Sequence, residues 1–522
     1  MTGFPHNTSG LLKLSNEILL AIFELCRSTE QKQKRPSISN LRLTCRRFGS
    51  LCNDYPIRRC ASLDFSRPES VELFQQVLRN PEITEGVHEI NLRLHFYHPW
   101  IAASLDNFIS AIRSEWEQRV HIMDESIGNS STGYITFEEL IHQFVHDTKK
   151  NHNEPVYSTK CSNGCIFQKA TCPEIIFYRA YNIYREKHNS QMLWYGNGAF
   201  AIKVAGILKN LPNLRHIMLH DGVLENNYDL GRKFDPVGKQ DTSAQADILI
   251  QVFSRPMLWE EARWIQPNEY VWPGVPIRLL IEIPVALGAV DSFVFDHLSI
   301  HVSAAPDYMA MQLSKDDEEK LSEAIKNFDL MQFNFQPRCR SGCGPWITDR
   351  GENITIRTAS EMDVVNQYLG SFFHAGCIMH ADINLGEFWY SLGLESVLAA
   401  PTSIGIGFTW PLDSSFSSIH LTEISVTTRE LGAMTEVLGR ESQLSLFLVH
   451  IRTGLWREAL QRLRQGLHNP QSVRIMHPLG GEIPNLTDNQ IVSVFNVEHI
   501  EGFTKAESYV MGILSEDAFN GI

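Results

Sequence analysis

The chain has 522 residues, 43% of them hydrophobic and 20% charged, with a net charge of −14. That length predicts two to four domains, or one small domain joined to a long repeat structure, with ample core. The acidic balance argues against a nucleic-acid-binding body. No apolar run follows a basic start, and the stretches 279–295 and 396–412 are broken by Glu282, Pro284 and Asp291 and by Pro401 and several hydroxyls, so neither a secretory leader nor a membrane span is expected. The ten cysteines are scattered, and without a leader they are expected as reduced thiols in the cytoplasm or nucleus.

Residues 1–10 read as a loose tail. In 11–26, Leu14, Ile18, Ile22 and Cys26 recur every four residues, and Leu11, Leu19 and Phe23 fill the neighbouring stripe. This predicts a helix with one broad apolar face. Ser15 is placed to cap it, with Glu17 in the first turn, where the dipole favours an acid. Residues 28–37 contain no apolar side chain; then Ile38, Leu41, Cys45, Phe48 and Cys52 again fall at helical spacing behind Ser37 or Ser39. A hairpin this small cannot hide all of that surface itself. It either caps the next domain or meets a partner. Residues 11–60 hold ten Lys and Arg against four acids, a net +6, which leaves −20 for the remainder. A basic head on an acidic body suits an acidic protein partner.

The run Leu14-Ser15-Asn16-Glu17-Ile18-Leu19, Ile22 and Phe23, followed by Leu41-Arg42-Leu43, Cys45-Arg46-Arg47-Phe48 and Leu51, resembles an F-box. This is the module that docks on the small acidic adaptor subunit of cullin–RING ubiquitin ligases. The resemblance implies that Leu14, Ser15, Glu17, Ile18, Leu19, Ile22, Leu41, Leu43, Cys45 and Phe48 contact that adaptor. It also implies that the rest of the chain holds an unidentified protein target, and that no catalytic residue, cofactor or metal is needed. The family usually has proline where this chain has Ser15. Proline suits a first helical turn because its missing N–H is not needed there; serine starts the helix by capping instead. Arg67-Pro68-Glu69-Ser70, Gly86-Val87 and Leu94-His95-Phe96-Tyr97 are similar to a group of fungal F-box proteins.

Beyond residue 60 the pattern becomes α/β. Residues 60–65 predict a strand, 69–79 a helix with Val71, Phe74 and Leu78 inward, and 87–96 an alternating strand. Residues 101–120 predict a helix. The loop 128–139 mimics half of a calcium loop, but Gly128, Ser130 and Thr132 stand where carboxylates or amides are required. His142 and His146 share a helix face, yet Gln143 replaces the glutamate a zinc protease needs. Cys161, Cys165 and Cys172, with Cys339 and Cys343, have wider gaps than the usual two-residue zinc knuckle, so no metal is expected. Helices follow at 175–187 and 199–211, with a strand at 214–219. Trp259, Trp264, Tyr270 and Trp272 read as core or loop anchors, or as a peptide-binding rim.

Further on, helices at 278–287, 318–327, 361–373 and 388–399 each precede a strand, at 293–300, 330–335, 377–385 and 403–409. Strands at 419–427 and 444–451 each precede a helix, and a last strand covers 472–476. The markers Ile378, Ile404, Ile419, Leu446 and Val473 lie 26, 15, 27 and 27 residues apart, against about 20–29 for leucine-rich repeats. No phosphate loop, nucleophile elbow or dinucleotide fingerprint interrupts them. The predicted architecture is therefore an α/β chain: an N-terminal helical F-box at 11–60, a first α/β segment with polar insertions at 61–290, and a degenerate leucine-rich-repeat-like α/β solenoid at 291–522. Alternation within the strands puts His297, Ser299 and His301 on a polar face, and His450 also resists a core assignment; these four are the candidate target-binding residues. The competing expectation is an enzyme carrying an N-terminal helical cap.

Overall fold

The computed structural model describes residues 15, 18–19, 60–126, 173–195, 198–222, 242–264, 274–290, 293–303, 305–337, 358–375, 378–385, 416–496 and 502–521. Most of 11–59 lies outside these residues, as do the expected calcium-like loop, His142, His146, both cysteine pairs, Tyr270, Trp272 and the elements at 388–399 and 403–409. At the N-terminal module Ser15 is exposed, Ile18 is helical and 50% exposed, and Leu19 is helical and buried. The Leu19 amide donates to the Ser15 carbonyl at 3.1 Å, as the first intrahelical bond behind an N-cap does.

From residue 60 the chain builds one nine-stranded, wholly parallel sheet: β1 Cys60–Asp64, β2 Glu89–Arg93, β3 His216–His220, β4 His297–His301, β5 Gln332–Phe335, β6 His380–Asn384, β7 Phe416–Thr422, β9 Leu438–Phe447 and β11 Ser472–Met476. Apart from short strands that leave the sheet after β7 and β9, its spatial order is the sequence order. Parallel neighbours require a crossover between strands, and helices supply it wherever the crossover lies among the described residues. These are α1 Pro68–Val77, α2 Pro81–Gly86, α3 Pro99–Ala103, α4 Leu105–Ser126, α5 Pro173–Tyr195, α6 Ala199–Leu208, α7 Thr242–Phe253, α8 Leu279–Gly288, α9 Lys315–Lys326, α10 Ala359–Ala375, α11 Thr428–Thr435 and α12 Trp456–Gly466, followed by α13 Asp488–Phe495 and α14 Lys505–Val510. Strand pairing crosses residue 290 without interruption, because β3 pairs with β4 over the full length of both.

Alternation sorts the two faces. Leu63, Ile90, Leu92, Ile217, Ile300, Phe333, Phe335, Ile383, Ile419, Val473 and Ile475 are all completely buried. They meet the helices: Phe333 stacks on Phe372 of α10 at 4.4 Å, and Phe65 meets Phe200 of α6 edge-on at 4.9 Å. The helices also pack on one another. A Cβ added to Gly288, at the end of α8, would lie 2.2 Å from the Cβ of Ala324 on α9, so glycine permits that close approach. Trp259 is core, with no exposed surface and its indole N–H donating to the Leu94 carbonyl at 2.8 Å.

Three departures from the sequence-based expectation have local causes. The helix expected over 101–120 is two helices, because Ser104 is extended (φ −152°) and its hydroxyl accepts the Asn107 amide to start α4. The strand expected over 419–427 breaks at Glu423 (φ 54°), and that over 444–451 breaks at Leu448 (φ 52°); His477 repeats the break at φ 51° after β11. Each break ends a main-sheet strand and starts one of three short strands, β8 Ser425–Thr427, β10 His450–Thr453 and β12 Leu479–Gly480, which form their own parallel sheet. The Glu423 amide donates to the Phe447 carbonyl and the Leu448 amide to the Met476 carbonyl, so this left-handed corner recurs from one unit to the next. Non-glycine residues rarely take that conformation, and nothing in the residue type marks it.

Candidate functional site

Among the described residues the second face of the sheet is mostly polar, and the strand register orders it into three rows. The first row is Cys60, Glu89, His216, His297, Gln332, His380, Ser418, Gln443 and Ser472. The second is Ser62, Asn91, Met218, Ser299, Asn334, Asp382, His420, Ser445 and Arg474. At the carboxyl ends stand Asp64, Arg93, His220 and His301, then Asn384, Thr422, Phe447 and Met476. Parallel strands usually read as continuous apolar runs because helices cover both faces. Here the strands alternate instead, so the second face is mostly polar, with Met218, Phe447 and Met476 as its apolar members.

Hydrogen bonds and one carboxylate–imidazole contact join the first five strands across this face. Asn91 donates to the Cys60 sulfur at 3.0 Å, and the thiol donates to Glu89 Oε1 at 3.4 Å. Burial, then Glu89, pushes the Cys60 thiol up to about 12, so it stays a thiol. Glu89 lies 3.7 Å from His216 Nδ1, and that contact, working against burial, lowers its carboxyl. The His216 and His297 rings stack at 3.9 Å, and Ser299 Oγ joins them, 3.1 Å from His216 Nε2 and 2.9 Å from His297 Nε2. Asn334 donates to both His297 Nε2 and Ser299 Oγ at 3.1 Å. Burial and the His216 neighbour hold His297 down at about 4.

A second cluster sits where the strands end. His95 Nε2 is 2.8 Å from Asp64 Oδ1, which also accepts from Ser66 Oγ at 2.7 Å. Burial would raise Asp64, but His95, Ser66 and Arg67 outweigh it and hold the carboxyl at about 2. Asp221 is buried beside them. It accepts the Trp259 and Ser303 amides at 2.8 and 2.9 Å and the Ser303 hydroxyl, and burial raises its carboxyl. His220 Nδ1 accepts the Gly222 amide at 3.1 Å, and burial and Arg93 bring His220 to about 4. The serine bonds to the aspartate rather than to the imidazole, so among the described residues this pair lacks the nucleophile–histidine–acid order of a hydrolase. No group of three or more His, Cys, Asp or Glu side chains converges as metal ligands would among the described residues. No described helix is long and apolar enough to cross a membrane.

Of the sequence-derived candidates, His297, Ser299 and His301 share β4 and face the polar side. His450 lies apart from them on β10, 3% exposed, with Nδ1 3.2 Å from Ser425 Oγ. Ser15, Ile18 and Leu19 are the described members of the adaptor-contact set; Leu14, Glu17, Ile22, Leu41, Leu43, Cys45 and Phe48 lie outside the described residues. Sequence reasoning missed Glu89, His216, Asn334, Asp382 and His420. The same period-two alternation that picked out β4 carries their signal, once each strand is set beside its neighbour. Compared with protein-family models and with curated proteins, the chain matches none.

Proposed function

We propose that the chain is a substrate-recognition adaptor of an SCF-type cullin–RING ubiquitin ligase. In this reading residues 11–60 dock on the acidic adaptor subunit. The body is a repeat-like α/β solenoid, and its polar sheet face holds a protein target. The subunit is non-catalytic and needs no cofactor; it acts by proximity, raising the effective concentration of the target beside the ubiquitin-charged enzyme. The observation that carries the target half is the in-register polar face of nine strands, built from side chains the core does not use. Stacked strand–helix units present such faces as extended binding surfaces. The exposed Ile18 beside the buried Leu19 supports the docking half, since one helix side is then free for a partner. The enzyme alternative draws little support from the Asp64–His95 pair, which has no nucleophile on its imidazole among the described residues.

A double substitution tests the target half. His380→Trp with His420→Trp adds bulk at two exposed positions of the face without touching residues 11–60. Tagged wild-type protein, purified after proteasome inhibition, is expected to retain the ligase adaptor and its ubiquitylated target. The double variant is expected to retain the adaptor and lose the target. Retention of the same target by the variant would move recognition off this face.

A further inference from the structure

The polar face ends in an apolar corner. Its carboxyl-end row closes with Phe447 of β9 and Met476 of β11, which are neighbours in register. The His477 ring stands edge-on to Phe447 at 5.5 Å. Arg474 precedes Met476 by two residues on the same strand, so both side chains project to this face. The Arg474 guanidinium lies over the ring of Phe503 at 5.4 Å. Met476 and Phe503 are each 43% exposed. Exposed apolar side chains that are grouped mark interaction sites, where single ones do not.

The charge at this corner is Arg474, and its donors are unengaged. Glu507 lies 3.8 Å away, beyond hydrogen-bond reach. That buried carboxylate is committed elsewhere: Oε1 accepts the Ile475 amide at 3.0 Å and Oε2 accepts the Thr504 amide at 2.8 Å. Among the described residues the Arg474 side chain has the Glu507 and Phe503 contacts and makes no hydrogen bond. A guanidinium carries five N–H donors in a fixed fork that fits a carboxylate. One guanidinium can serve two carboxylates, as Arg255 of this chain serves Glu115 and Glu261. Glu507 and Phe503 therefore orient Arg474 and leave its donors for a second acid.

We propose that this corner docks an acidic–aromatic pair of the protein target, an Asp or Glu side chain beside a Phe, Tyr or Trp. The carboxylate takes the Arg474 donors, and the ring lies on Phe447 and Met476. The charge of Arg474 selects the acid, and the exposed apolar side chains around it select its neighbour. The proposal rests on the reading of the polar face as the target surface and names what one stretch of the target must present.

Fluorescence anisotropy with the full chain tests it, using labelled, C-terminally amidated Gly-Ser-Asp-Phe-Ser-Gly, Gly-Ser-Lys-Phe-Ser-Gly and Gly-Ser-Asp-Ser-Ser-Gly at one fixed salt concentration. The Asp-Phe peptide is expected to bind, and the other two at least about tenfold more weakly, the scale of one charge-assisted hydrogen bond. Arg474→Gln is expected to weaken the Asp-Phe peptide by the same factor. Met476→Glu, which sets an acid at an exposed position, is expected to do the same and covers an Arg474 variant that fails to fold. Arg440→Gln, exposed near the other end of β9, is expected to change binding less than about twofold, as for a screened surface charge. Equal losses in the Arg474 and Arg440 variants would reduce the effect to net charge and overturn the corner site. Equal binding of the Lys-Phe peptide, or no binding of the Asp-Phe peptide, would also overturn it. Tighter binding of Gly-Ser-Gly-Ser-Phe with a free terminal carboxylate would assign the corner to a chain end and overturn the side-chain pair. The His380→Trp, His420→Trp protein separates the two readings. Target loss in that variant, with no Asp-Phe binding to wild type, rejects the corner and keeps the polar face.

Discussion

Moving the pH from 7.5 to 5 is expected to lower the thermal midpoint steeply, well before any carboxylate cluster is neutralised. His98, His220, His297 and His450 are all held at about 4 from an ordinary 6.5, in each case first by burial. Geometry gives the same direction independently. His98 Nδ1 accepts the Trp100 amide and His220 Nδ1 accepts the Gly222 amide. A backbone N–H can only donate, so neither imidazole can take a proton at that nitrogen without losing its bond. The unfolded chain binds these protons below 6.5 and the folded chain does not until about 4, so the stability present above 6.5 is lost as the pH falls through that window. At pH 5 each of the buried rings His98 and His220 costs up to about 2 kcal/mol. His297, which is half-buried, adds less because solvent screens it, and His450 adds to the loss. A total of about 4 kcal/mol is a large share of the roughly 5–15 kcal/mol available to a folded domain. A midpoint flat from pH 7.5 to 5 would contradict this account of the four rings.

Replacing Arg255 with methionine is expected to destabilise the fold by about 3–5 kcal/mol, because it removes the guanidinium that faces the buried Glu261 and the half-buried Glu115 carboxylates. Arg255 donates to Glu115 of α4 and to both oxygens of Glu261, at 2.8 and 2.7 Å. Glu261 is 1% exposed and also accepts the Leu258 amide at 2.8 Å. The guanidinium thus ties α4 to the end of α7 and to the short helical turn Glu260–Trp264. Adding Glu115→Gln and Glu261→Gln to the methionine variant is expected to restore most of the loss, since a buried ion cluster costs desolvation in both directions. Urea unfolding midpoints of the three proteins check this. A single variant within about 1 kcal/mol of wild type would show that the cluster is solvated.

The sequence made some of this legible because period-two alternation survives wherever one sheet face is polar. The strand at 472–476 is found with the expected ends, and those at 60–65, 330–335 and 377–385 differ only at their margins. The polar placement of His297, Ser299 and His301 comes from the same signal. The continuity of the sheet was not legible. Strands β1, β2 and β3 are separated by helices of unequal length, so no fixed period appears before residue 290. The Asp64–His95 contact joins residues 31 apart only because β1 and β2 pair in register. Glu423, Leu448 and His477 redirect the chain through backbone angles that their side chains do not announce, and this moved His450 off the face its neighbours suggested.

The docking of residues 11–60 on a ligase adaptor is the central claim, and a single substitution addresses it. Ile18 is half exposed on its helix while Leu19 is enclosed, so Ile18→Asp charges the outward side and leaves the packed side intact. An acid placed in an apolar interface costs roughly several kcal/mol, enough to weaken binding more than about a hundredfold. Tagged wild-type and Ile18→Asp proteins, expressed at equal level and purified side by side, should differ in one respect: wild type carries the adaptor subunit at about one per chain, and the variant carries none while keeping its thermal midpoint. Equal adaptor on both proteins, or none on wild type, would contradict the assignment of this stretch as the docking module.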